Sequence, residues 1–180
     1  MGLAQEHRET EQLIKAADIP FVLLRNGWYS ENYTAGIPTA LQFNVLLGSA
    51  GDGKISSASR ADYAAAAVEV LVRDNQAGKI YELAGDTSYT LTEFAAELSR
   101  QTGKTIPYNN LPEAEYKAVL QGAGLPDAIA DLLASSDASA AQNSLFDDSL
   151  QLSKLIGRAT TPLADSIKAA LTQEPTNASH

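Results

Sequence analysis

The sequence has no cysteine. Disulfides, thiolate metal sites and cysteine nucleophiles are therefore excluded. Basic charge is also scarce, with 13 Lys and Arg against 22 Asp and Glu and a net charge of -9. Nucleic acid recognition needs clustered cations on one face. No such cluster occurs, so no nucleic-acid partner is expected, though a small basic pocket for one anion stays open. No apolar run reaches the roughly 18 to 20 residues that span a bilayer. The first residues, MGLAQEHRETE, are polar and charged, unlike a secretory leader. A soluble, cytoplasmic protein without a membrane partner is the expectation. G-x-S-x-G, Walker and H-E-x-x-H motifs are missing too, and with them the chemistries they carry.

What is present is 180 residues, 44% of them hydrophobic, enough for one sizeable core. Glu6–Ala17 has the spacing of a helix. Pro20 disfavours helical backbone at Ile19, so this helix should stop by Asp18. Phe21-Val22-Leu23-Leu24 then forms a short continuous apolar run, the pattern of a strand buried on both faces of a parallel sheet. Strands are predicted near 21–26, 43–48, 54–59 and 79–84, with the second and third flanking Gly48–Gly53 as a hairpin or loop. ADYAAAAVEVLVRD is a helix with a small-residue face. Thr90 and Glu93 form a capping box for a helix over 91–102. A short strand is predicted at 105–108. Pro112–Gln121, Pro126–Ala134, a helix capped by Asp147 or Asp148, and Pro162–Thr172 follow. Ser135–Ser144 reads as a linker, and residues 173–180 as a disordered tail. The fold class is α/β: a partial parallel sheet over 1–108, then a mainly helical lobe over 109–172.

Ligands of open α/β sheets bind beyond the carboxyl ends of strands. Asn26, Gly27, Trp28, Tyr29, Ser30, Glu31 and Asn32 follow the first strand directly. Gly27 permits close backbone approach. The asparagine amides offer donors and acceptors, and the aromatics offer flat faces for a ring. The alternative is an ordinary Asn-Gly turn whose aromatics fill a core edge. His7, the one histidine outside the tail, could shuttle a proton or simply sit exposed on a charged helix. The carboxylates offer no histidine pair for a metal, and no metal site is predicted. The G-x-G at Gly51–Gly53 has no helix behind it and is a poor dinucleotide fingerprint.

HRETEQLIKAADIPFVLLRNGWYSENY, with GSAGDGKISSASRADYAAAAVEVL, KIYELAGDTSYTLTEFAAEL and FDDSLQLSKLIGRATTPL, resembles the NmrA-like atypical short-chain dehydrogenase/reductase family, in particular its bacterial type 2 NAD(P)H:quinone oxidoreductases. The similarity runs from about Gly2 to Leu171, and LRNGWYSENY and SRADYAAAA are its specific parts. It implies a Rossmann-like fold, NADP (NADPH) as cofactor and a small-molecule quinone as hydride acceptor. It also implies a cofactor-binding role for residues 26–32. Roughly the first hundred residues of the family pattern, with its Gly-rich phosphate loop, are not in this sequence. A fragment with weak NADPH affinity and little activity of its own is therefore expected. Relatives carry a Tyr and a Lys four apart on the first helix. Those positions fall on Leu3 and His7, which leaves His7 as the candidate catalytic residue and puts the usual proton relay in doubt. A non-catalytic NADP-sensing regulator is the alternative. Oligomeric state is open, a homo-oligomer included.

Overall fold

The computed structural model describes residues 3–172 of the chain. Helix α1 (Leu3–Ala16) leads to β1 (Leu23–Asn26), with Asp18 at φ 51 turning the chain ahead of Pro20. Two short helices follow, α2 (Ser30–Thr34) and α3 (Ile37–Phe43), then β2 (Leu46–Gly48). The alanine-rich α4 (Arg60–Val72) precedes β3 (Ile80–Leu83), α5 (Leu91–Thr102) and β4 (Tyr108–Asn110). From there the described chain is helical: α6 (Glu113–Gly122), α7 (Asp127–Ala140), α8 (Gln151–Ile156) and α9 (Leu163–Thr172). None of the described helices is long and apolar enough to cross a membrane.

The strands form two parallel pairs, β1 with β3 and β2 with β4. Leu23 lies opposite Ile80 and Asn26 opposite Leu83, so both strands of the first pair end at the same edge. The ladder continues one residue further, where the Gly27 N–H donates to the Leu83 carbonyl at 2.8 Å. Gly27 is required there: a Cβ would stand 2.9 Å from that carbonyl oxygen.

The predicted strand over 54–59 and its hairpin are not formed. Ile55 makes an antiparallel bridge to Tyr89, and Ala58 a parallel bridge to Tyr29. The 54–59 segment thus makes single bridges to two different neighbours and no ladder with β2. The predicted linker at 135–144 is largely helix. Ala130, Ala134, Asp137 and Ala140 are buried at helical spacing, and their small side chains let α7 lie close to the Gly48–Gly53 loop. Gly53 shows how close: a Cβ there would stand 2.0 Å from the Ala140 carbonyl oxygen. The glycines of this loop therefore serve packing, and no helix opens behind them.

Asp147 does not cap a helix. Its Oδ1 accepts from the Ser149 N–H and hydroxyl, closing a turn before α8, whose N-cap is Leu150. Thr90 and Glu93 do make the capping box of α5. Two apolar clusters result. One gathers Tyr33, Ile37, Ile55, Phe94, Leu98, Ile106 and Ile167; the other gathers Ala58, Tyr63, Leu83, Leu152 and Leu155. Helices after residue 108 pack on earlier elements: α8 lies on α4 and β3, and α9 on α2 and α5. The tail at 173–180 is outside the described residues.

Candidate functional site

A cleft of about 240 Å³ opens at the carboxyl ends of β1 and β3. This is where open α/β sheets bind ligands, because strand ends expose backbone groups that the ladder no longer uses. Asn26, Gly27 and Trp28 form one wall, Leu83 and Ala84 the floor, and Ser56 with residues 144–147 the opposite wall. The far wall is fastened to Ser56. Its N–H donates to the Leu145 carbonyl at 2.9 Å, and its hydroxyl donates to the Asp147 carbonyl at 2.8 Å.

The lining is mixed: Trp28, Leu83, Ala84, Leu145 and Phe146 are apolar or aromatic, while Arg25, Asn26, Ser56, Glu82, Ser144 and Asp147 are polar or charged. Arg25 is the one cation among the lining residues. Its guanidinium is held by both oxygens of Glu11 at 2.7 Å and by Glu82, so its charge is locally neutralised. The Glu11 hydrogen bond pushes the guanidinium further above its ordinary range. In turn Arg25, with Lys15 beside it and burial opposing, holds Glu11 down at about 2. Such a lining suits a flat, weakly charged ring better than a phosphate. One polar group of this wall remains available. The Asn26 amide donates to the Tyr29 hydroxyl at 3.2 Å, which leaves its carbonyl oxygen free to accept. The Trp28 Nε1–H is buried and has no acceptor among the described residues.

The predicted 26–32 stretch divides here. Asn26, Gly27 and Trp28 line the cleft. Tyr29 instead stacks edge-on against Tyr63, with ring centroids 5.1 Å apart, and lies beneath the Arg60 guanidinium. The Ser30 hydroxyl is buried against Ser57 at 2.9 Å. Glu31 accepts from the Arg60 N–H at 2.9 Å and so caps α4. Asn32 lies within α2, its N–H bonded to the Tyr29 carbonyl at 3.1 Å. His7 is exposed on α1, and none of the described contacts brings it to the loop.

Sequence reading missed the far wall. Ser144, Leu145, Phe146 and Asp147 lay in or beside a stretch read as linker, and only Leu145-Phe146, an apolar pair in a polar stretch, set it apart; Leu145 is half-buried and Phe146 exposed. A second cavity of about 130 Å³ lies among Ser30, Ser57, Asp86, Tyr89 and Thr160. A hydroxyl chain runs along it, Ser30 to Ser57 at 2.9 Å and Ser57 to Tyr89 at 2.7 Å. Burial pushes the Tyr89 phenol well above its ordinary range despite the Ser57 hydrogen bond.

Asp62 ties the site's frame to the last part of the chain. It is fully buried, and its Oδ2 accepts from the Ser59 hydroxyl and the Thr161 N–H, both at 2.8 Å. Arg158 stands 2.7 Å from its other oxygen. Burial pushes its carboxyl up, but the Thr161, Ser59 and Arg158 partners together outweigh burial and leave it below its ordinary value.

No family model matches the chain. Individual proteins do. The chain is 57% identical over 167 residues to quinone oxidoreductase 2 of Escherichia coli (strain K12), covering 93% of this chain and 58% of the relative. A solved NADPH-dependent quinone oxidoreductase of Escherichia coli, complexed with NADPH, superposes with a TM-score of 0.92 at 55% identity, over 96% of this chain and 61% of that one. Citrobacter triphenylmethane reductase complexed with NADP(H) gives 0.90 at 30% identity, over 94% and 60%. An NmrA-like family domain-containing oxidoreductase of Aspergillus flavus is 22% identical over 179 residues. The chain thus spans less than two thirds of the length of these relatives, and within that span its backbone superposes closely on the two solved structures. Over that span the chain is similar to NAD(P)H-dependent reductases, an NmrA-like oxidoreductase among them, and it shares their α/β, Rossmann-like fold.

Proposed function

We propose that these residues form the nicotinamide and quinone side of an NAD(P)H-dependent quinone reductase. The observation that carries the reading is the cleft at the ends of β1 and β3, which has the Trp28 and Phe146 rings in its lining beside the Glu82 and Asp147 carboxylates and no unneutralised cation. When bound, reduced nicotinamide supplies the hydride that a quinone accepts.

The protein's part is to position two flat rings and keep water from them. The Trp28 indole gives a face for a ring. The free carbonyl of Asn26 accepts from a carboxamide N–H. Gly27 keeps the backbone low enough for a ring to approach the strand ends. Tyr29, Ser30, Glu31 and Asn32 act from behind, holding the loop to residues 57–60 and α2. His7 keeps its proposed role as a proton donor or ribose contact only if α1 moves toward the loop. The division of labour follows: residues 1–108 supply the sheet edge and residues 109–172 supply the far wall.

Within the 180 residues no Gly-rich turn opens a helix, so a pyrophosphate lacks its usual anchor. Weak cofactor affinity and little turnover follow for the chain as it stands. The test is an amide-shift titration of the isotope-labelled chain with a soluble quinone and, separately, with NADPH. The reading expects shifts concentrated at 26–28, 56, 83–84 and 144–147. Shifts confined to the second cavity or to α6 and α7 would overturn it. Adding both ligands and following NADPH absorbance separates a reductase from a binding module that consumes nothing.

A further inference from the structure

Asp137 is a buried acid that the cleft does not touch. It sits on α7 at 2% exposure, with no cation bonded to it among the described residues. The Tyr33 hydroxyl donates to its Oδ1 at 2.8 Å, and the Ser49 N–H donates to its Oδ2 at 3.0 Å. Its other charged or titratable neighbours are tyrosines: Tyr89, Tyr108 and Tyr116 all feel its charge. A carboxylate buried with two hydrogen bonds and no counter-ion costs free energy that an apolar residue would not. Its partners show what that arrangement does. Ser49 follows β2, Tyr33 lies on α2, and Asp137 lies on α7, so one side chain joins three elements. The joint is tight: a Cβ on Gly48 would stand 2.8 Å from the Asp137 Oδ2.

Tyr33 carries the constraint forward. Its ring packs against Trp28 with centroids 6.3 Å apart at an interplanar angle of 55°, and against Phe94 at 6.2 Å. Its hydroxyl is the only part that reaches Asp137. With the hydroxyl anchored, the phenol ring cannot slide along the indole; without it, only ring packing holds the pair. We infer that Asp137 is a positioning residue, which through the Tyr33 hydroxyl fixes the Trp28 indole and so sets the shape of the cleft. The functional consequence rests on the cleft being a ring-binding site, but the positioning itself does not.

Trp28 is the one tryptophan of the sequence, so indole emission reports this side chain alone. Tyr33→Phe removes the hydroxyl and keeps the ring. Asp137→Asn keeps the shape and removes the charge. In the unliganded chain, with far-UV circular dichroism unchanged, both variants are expected to shift Trp28 emission and raise its quenching by acrylamide. The double variant should do no more than the stronger single one, because both act on one linkage. Ring binding should weaken by roughly 3- to 10-fold in each, since loosening a positioned wall costs affinity without removing a contact. Emission and quenching identical to the unaltered protein in Tyr33→Phe would overturn the inference, as would effects that add in the double variant. If Asp137→Asn fails to fold, Tyr33→Phe alone decides. If no ring binds at all, the proposed function fails while the fluorescence of the unliganded variants still tests the linkage.

Discussion

The Thr161 N–H donates to the Asp62 carboxylate at 2.8 Å across 99 residues of sequence. The first turn of α4 and the segment leading into α9 are thereby joined at a point with no access to water. Asp62→Ala should remove this bond and the Ser59 bond and leave both donors buried, at about 2–3 kcal/mol. Arg158→Ala should cost less than about 1 kcal/mol, because the arginine is half exposed and screened. Chemical denaturation of the two variants measures the ordering, and equal losses would contradict it.

Two buried aspartates should respond to pH with opposite signs. Asp62 lies below the ordinary 3.8 in the folded protein. Its contribution is therefore present above 3.8 and lost as pH falls below that value. Asp137 lies above 3.8, because burial outweighs its Ser49 and Tyr33 hydrogen bonds. The folded state then holds its proton to higher pH than the unfolded state, so this group lowers stability as pH rises from 3.8. The stability deficit of Asp62→Asn should shrink on acidification below 3.8. Asp137→Asn should gain relative to the unaltered chain as pH rises above it. Thermal melts at a series of pH values, on both variants, read the two slopes.

Arg25 fastens α1 to the sheet edge through Glu11 and pairs with Glu82 on the neighbouring strand. Arg25→Ala should speed amide hydrogen exchange in α1 and leave α5 unchanged. The same loosening should occur in the unaltered chain on acidification. Glu11 is held at about 2 against an ordinary 4.5, so its contribution is present above 4.5 and disappears as pH falls toward 2. Unchanged exchange in α1 would show that the helix is held by something else.

Glycines at close backbone approaches should be intolerant, and open ones should not. Gly53→Ala places a Cβ 2.0 Å from a carbonyl oxygen, and Gly85→Ala places one 2.1 Å from another. Backbone cannot yield cheaply, so each should cost at least about 2 kcal/mol. Gly122 is in α6 with nothing within 4 Å of a new Cβ, and its change to alanine should be neutral or stabilising by up to about 1 kcal/mol. Denaturation midpoints of the three variants check this.

Much of this architecture was legible from local signals. Pro20, the Thr90 and Glu93 capping box, and the apolar run before Arg25 each act within a few residues. The missed features depend on distant partners. Ile55 and Ala58 carry strand-like sequence, but only the positions of Tyr89 and Tyr29 decide that they bridge instead of pairing with β2. Residues 135–140 have a composition shared by loops and closely packed helices, and the Gly48–Gly53 loop on the other side selects the helix. At the site, Asn26, Gly27 and Trp28 could be read from their place after a strand. Tyr29 and Glu31 contact Tyr63 and Arg60, partners that only the fold brings near.

The central claim is that the Trp28 cleft receives a nicotinamide ring while the phosphates find no anchor in these residues. It is tested most directly by following Trp28 emission during titration with reduced nicotinamide mononucleotide and with NADPH. The account predicts saturable quenching by both, with affinities within about tenfold of each other and near the millimolar range, about −4 kcal/mol. NADPH binding in the micromolar range, far tighter than the mononucleotide, would contradict it, and so would the absence of quenching by either.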